Sequence, residues 1–208
     1  MNLPNQLTVS RLVMTAAFLW AIMSRARFGD TFALLLFSAA SLTDLYDGRI
    51  ARQRKLITNF GILMDPLADK ILICSAFIAL VERGLLTPQP GVFELGSLVV
   101  RPRVEAWMTV IIVARELAIT GLRLLAASKN VVLAAERYGK HKTIWQMIAI
   151  ITLLVLEASH EWPAWLSGLL QPWLPLLTVL ALWLAVALTA ISGGFYLWRN
   201  REMYLADM

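Results

Sequence analysis

The sequence predicts an all-α, polytopic integral membrane protein, with six transmembrane helices and an N-terminal amphipathic segment in a single domain over residues 1–208. Three observations lead there. The 208 residues are 59% hydrophobic and only 16% charged, with mean hydropathy +0.67, too apolar a balance for an ordinary soluble domain. One uncharged run extends from Trp162 to Trp198, enough for a full span and an apolar approach rich in Trp and Pro. Shorter apolar segments, interrupted by charge, place helices at about 7–24, 31–53, 57–82, 104–127, 141–159 and 174–198. No internal repeat or low-complexity tract stands out.

The first apolar stretch, Leu12 to Met23, has some look of a cleaved signal peptide, because Ser24-Arg25-Ala26 follows it. Only Arg11 precedes it as a basic residue, so a retained span is expected. NLPNQLTVSR reads as a helix lying along the membrane face before the chain enters. Thr8 and, later, Thr58 each precede an apolar run as a helix N-cap does.

The second and third helices carry the most informative pattern in the chain. Residues 44 to 69 read DxxDGxxAR, eight residues, then GxxxDxxxD. A carboxylate at hydrocarbon depth costs several kcal/mol, so Asp44, Asp47, Asp65 and Asp69 are improbable as passive structure. At about 100° per residue, Asp44, Asp47, Gly48 and Ala51 share one helix face, and Gly61, Asp65 and Asp69 share another. The small residues on those faces permit close helix approach and leave room for a ligand. Four converging carboxylates require cations, and an all-oxygen set suits Mg²⁺ or Mn²⁺ better than zinc. The expectation is a site for two divalent cations. Lys70 adjoins Asp69 but points about 100° away, toward a neighbouring carboxylate or carbonyl. Cys74 is the single cysteine, which excludes an internal disulfide and suits a small core residue.

The fourth helix holds Arg115 inside a span, where a cation needs a partner. Glu116 or an acidic-site carboxylate can supply it; Glu116 and Arg123 also share a face and can pair with each other. The fifth begins with Lys140, His141 and Lys142, and the two lysines there also read as membrane-boundary charge. Glu157, His160 and Glu161 fall at its other end and receive no role. The sixth is the end of the Trp162–Trp198 run.

Basic residues set the topology. Twelve lie on the side of the N-terminus (Arg11; Arg49, Arg52, Arg54, Lys55; Arg123, Lys129, Arg137, Lys140, Lys142; Arg199, Arg201) against five on the other (Arg25, Arg27, Arg83, Arg101, Arg103). Both termini and the acidic pattern are therefore expected on the cytoplasmic side. The net charge of +5 points to anionic lipids and phosphorylated substrates, and no nucleic acid is expected, since nothing resembles a base-reading module.

Asp44, Asp47, Gly48, Ala51, Arg52, Gly61, Asp65 and Asp69 match without departure the signature of the CDP-alcohol phosphatidyltransferases, eight positions over 26 residues. NQLTVSR, NFGILMDPLADK, ARELAITGLR and GKHKTIWQ extend the resemblance to the bacterial branch using CDP-diacylglycerol and glycerol 3-phosphate. The stretch from Pro88 to Arg103 and the last span contribute composition only. The resemblance implies that Asp44, Asp47 and Asp65 ligate metal and that Asp69 is both ligand to the second ion and general base. It implies that Thr8, Gly48, Ala51, Arg52, Thr58 and Gly61 bind CDP-diacylglycerol, although Arg52 alone reads equally as a headgroup anchor. A phosphate dianion needs fixed positive charge; Arg115, Arg123, Lys140, His141 and Lys142 are the candidates for glycerol 3-phosphate. The implied reaction releases CMP and gives phosphatidylglycerophosphate by direct transfer, in a homodimer of the bacterial inner membrane. Alternatives are another acceptor (inositol phosphate, serine or a lipid alcohol), an inactive scaffold, and an ion-coupled transporter, which the confinement of the acidic residues to one hairpin disfavours.

Overall fold

The structure is a computed structural model that describes residues 3–24, 26–54, 59–86, 93–95, 98–100, 102–129 and 139–205. Six long helices occupy the six expected segments: α1 (Leu3–Ser24), α2 (Gly29–Arg54), α3 (Asn59–Leu86), α4 (Ala106–Ser128), α5 (Gly139–Ala158) and α7 (Leu174–Arg199). The first is continuous from Leu3, so the N-terminal segment and the first apolar stretch form one helix. Thr8 lies inside it, fully buried, and does not cap a helix start.

Among the described residues the shorter elements are a 3-10 turn at Ser159–Glu161 and the helices α6 (Ala164–Leu170) and α8 (Arg201–Leu205). The long uncharged run is thereby divided, with Pro175 in the first turn of α7, where its missing N–H costs nothing. Among the described residues, the departure from an all-α chain is a small antiparallel pair of strands, β1 (Phe93–Leu95) with β2 (Leu98–Val100), in register Phe93↔Val100 and Leu95↔Leu98. Two β-prone triplets around Gly-Ser are a short hairpin signal that composition alone does not expose.

The long helices pack in a closed ring, α1 on α2, α2 on α5, α5 on α7, α7 on α4, α4 on α3 and α3 back on α1, with α3 also touching α5. Phe18, Phe37, Phe77, Ile112, Ile150 and Leu182 fill its centre, and Phe18 meets Phe37 at 5.7 Å between ring centroids. Ala33, Ala40, Ala76, Ala149, Ala181 and Ala185 are completely buried between helices, where small side chains let backbones approach. Among the described residues two helices, His141–Glu161 and Leu174–Arg199, are by length and composition apolar enough to cross a membrane. The outward faces are apolar too: Trp20, Leu35, Ile78, Leu117 (65% exposed), Ile144 and Phe195 (69%) all project away from the core.

One end of the bundle is closed by its own charges. Arg83 donates to both carboxylate oxygens of Asp30 at 2.7 and 2.8 Å and to the Ile22 carbonyl at 3.2 Å, joining α3, α2 and α1. Glu161 accepts from the backbone N–H groups of Asp30 (3.1 Å) and Thr31 (2.9 Å) and from the Thr31 hydroxyl (2.6 Å). A carboxylate thus satisfies the open donors at the start of α2, and Trp162 Nε1 donates to Thr31 Oγ1 at 2.9 Å. Sequence alone gave Glu161 no task; its partner lies 130 residues away.

Candidate functional site

At the opposite end, the backbone of α2 carries Asp44, Asp47, Gly48, Ala51 and Arg52, and that of α3 carries Gly61, Asp65 and Asp69. All eight signature positions are therefore helical, as their spacing requires. Their side chains lie outside the described residues, as do that of Lys140 in the first turn of α5 and the whole of Thr58. Among the described side chains no cluster of three or more His, Cys, Asp or Glu forms a metal cage. The fit to a divalent cation therefore rests on the donor set: carboxylate oxygens at i, i+3 of α2 and i, i+4 of α3, the spacing that puts each pair on one helix face.

Four of the basic candidates, Arg115, Arg123, His141 and Lys142, have described side chains on α4 and α5. Glu116, 7% exposed, accepts from Lys142 of α5, itself 5% exposed, and from Arg115 Nη1 at 3.2 Å. The pairing of Arg115 with Glu116 is one of the two arrangements the sequence offered. Lys142 departs from the boundary-charge reading: it is buried against the Glu116 carboxylate, which provides the counter-ion that burial demands. Arg123 does not reach Glu116. It lies over the Tyr196 ring, 5.8 Å from the centroid, and its Nε donates to the Tyr196 hydroxyl at 3.4 Å. His141 is exposed at the start of α5.

Lys70 ties this basic cluster to the acidic helix. Its Nζ hydrogen-bonds Thr120 Oγ1 of α4, and Thr120 in turn donates to the Glu116 carbonyl at 2.6 Å. The chain position following Asp69 is thus joined to the turn of α4 that follows Glu116. A hydroxyl on α4 is thus among the partners of Lys70. Arg11, read as a boundary charge, is 1% exposed in α1, one helical turn from the buried Thr8.

α4 and α7 run parallel, Trp107 against Trp183 at 5.8 Å, Arg115 against Gly193, and Arg123 against Tyr196. Sequence reasoning missed Gly193 and Tyr196 as neighbours of the basic residues. Their only signal was a Gly-Gly pair and one polar aromatic near the end of an otherwise apolar span.

The model for CDP-alcohol phosphatidyltransferase matches residues 1–191. The chain belongs to that family. A CDP-diacylglycerol–glycerol-3-phosphate 3-phosphatidyltransferase of Bacillus subtilis is 37% identical, with 97% of this chain and 96% of the relative covered. A Rickettsia felis protein of the same name is 33% identical over 94% and 93%. A probable phosphatidylglycerophosphate synthase of Mycobacterium tuberculosis is 38% identical over 95% and 81%. As a CDP-alcohol phosphatidyltransferase with two helices apolar enough to span, the chain is a membrane protein.

Proposed function

We propose that this protein transfers the phosphatidyl group of CDP-diacylglycerol to sn-glycerol 3-phosphate, giving phosphatidylglycerophosphate and CMP. The observation that carries the reading is the intact eight-position signature in a chain similar along nearly its whole length to relatives named for that reaction. The basic cluster supports the acceptor: Arg115, Arg123, Lys140, His141 and Lys142 offer the fixed charge that a phosphate dianion needs. Free serine carries no phosphate to engage them.

In this reading Asp44, Asp47, Asp65 and Asp69 hold two divalent cations, Mg²⁺ or Mn²⁺, which when bound neutralise the diphosphate of CDP-diacylglycerol and the departing CMP. Asp69 takes the proton from the primary hydroxyl of the acceptor, whose oxygen attacks the phosphorus bearing diacylglycerol. Thr8, Gly48, Ala51, Arg52, Thr58 and Gly61 bind the CDP moiety, the small residues leaving room for it between helices. Glu116 orients Arg115 and Lys142, so that acceptor phosphate and acceptor hydroxyl are held together; positioning of this kind supplies much of the acceleration.

All six long helices cross the bilayer in this reading, supported by the apolar outer residues on each of them. The basic-residue asymmetry supports a topology with both termini and the site on the cytoplasmic side of a bacterial inner membrane, and the working unit in this reading is a homodimer. The test is an acceptor screen of purified protein with CDP-diacylglycerol and Mg²⁺, measuring CMP release. Glycerol 3-phosphate should be the best acceptor, and free glycerol a poor one. Faster release with inositol 1-phosphate or serine at equal concentration would overturn the assigned reaction.

A further inference from the structure

We propose that Gly193 and Tyr196 of α7 are positioning residues that seat the two arginines of the acceptor pocket, Arg115 and Arg123. The acceptor role of those arginines rests on the function proposed above; the seating itself rests on geometry. A methyl group in place of the Gly193 hydrogen would lie 2.7 Å from Arg115 Cγ and 3.6 Å from its Cβ. Cγ is at the root of the side chain, close to the helix axis, so the arginine cannot swing clear by moving only its tip. A side chain at 193 must therefore push the whole Arg115 stem, and with it the guanidinium that meets Glu116 at 3.2 Å.

One helical turn on, Tyr196 is 2% exposed and holds Arg123 by the hydroxyl contact at 3.4 Å and the ring face at 5.8 Å. The two contacts restrict the long Arg123 side chain at both its nitrogen and its plane, lowering the entropy cost of presenting it to an anion. α7 thus braces both cations from behind through an uncharged glycine and a tyrosine. Both residues lie beyond residue 191, where the match to the family model ends. Gly194 makes the internal comparison: a methyl group there meets nothing within 4 Å.

The experiment is a pair of double-mutant cycles on full-length protein in detergent micelles, reading KM for each substrate, kcat and melting temperature. Gly193→Ala should raise KM for glycerol 3-phosphate about tenfold, the loss of one charge-assisted contact, with KM for CDP-diacylglycerol unchanged and Gly194→Ala like the parent. In an Arg115→Ala background the clash has no Cγ to strike, so Gly193→Ala should add nothing; this double variant also folds if the single one does not. Tyr196→Phe should behave likewise with Arg123→Ala. Additive effects in both cycles, or Gly194→Ala matching Gly193→Ala, would overturn the seating. Coupling that appears instead in KM for CDP-diacylglycerol would keep the seating and overturn the acceptor assignment.

Discussion

Removing the carboxylate at Glu116 tests whether the basic side of the site is a linked ionic unit. Glu116→Ala leaves Lys142, 5% exposed, and Arg115 without the acceptor they share. Breaking a buried pair by deleting one partner costs about 3–5 kcal/mol, because the remaining charges lose a buried counter-ion. At about 2–4 °C per kcal/mol for a chain of this size, the melting temperature should fall by about 6–20 °C. A neutral interhelical hydrogen bond in a membrane bundle contributes only about 0.6 kcal/mol on average, so the size of the loss decides which kind of contact this is. Glu116→Gln keeps an oxygen acceptor without the charge and should fall between parent and alanine. Adding Lys142→Met to Glu116→Ala should recover part of the loss, since the buried cation goes too. The assay is thermal unfolding in detergent together with KM for glycerol 3-phosphate, which should rise as the two cations lose their orientation. A melting temperature indistinguishable from the parent in Glu116→Ala would refute the reasoning.

Activity should vanish in EDTA and return with Mg²⁺ or Mn²⁺, and Asp44→Asn or Asp65→Asn should lower it by orders of magnitude; full turnover in chelator would exclude the two-cation reading. Asp69→Asn should reduce kcat far more than it weakens CDP-diacylglycerol binding, because an amide cannot accept the proton; equal losses in both would make Asp69 a structural residue. One alanine inserted after Ala76 should abolish CMP release, whereas one inserted after Gln171, exposed in the turn before α7, should be tolerated. Equal activity in the two insertion variants would show that the register of α3 is not critical.

The six long helices were legible because apolar length is a local property of the chain, and the acidic pattern was legible because carboxylates at membrane depth have no cheap structural use. What escaped was relational. Nothing local to Lys142 distinguishes a boundary lysine from one buried against Glu116, 26 residues earlier on another helix. Arg123 had Glu116 as a same-helix candidate, yet its partner Tyr196 lies 73 residues on. Gly193 reads as an ordinary small residue of an apolar span until the Arg115 stem is placed 2.7 Å from its missing methyl. The hairpin at 93–100 was hidden for the opposite reason: three-residue strands are too short to show a period.

The two charged ends of the bundle have a metrical relation that follows from helix geometry. Asp30 and Arg83 are in direct contact, fixing one level of α2 against one level of α3. Fourteen residues separate Asp30 from Asp44 along α2, and fourteen separate Arg83 from Asp69 along α3 in the reverse direction. At 1.5 Å per residue each interval is about 21 Å, so Asp44 and Asp69 are carried equal distances from the clamp residues along two helices that run opposite ways. Asp47 and Asp65 then extend the pattern by about one turn on each helix in the same direction. A connection of four residues between Arg54 and Asn59 leaves little slack to alter that match. In the two-cation reading proposed above, the Arg83 clamp and the Phe18–Phe37–Phe77 core act on the acidic pattern from a distance: they contribute no ligand, but they hold α2 and α3 in an axial register that four carboxylates on two helices would need.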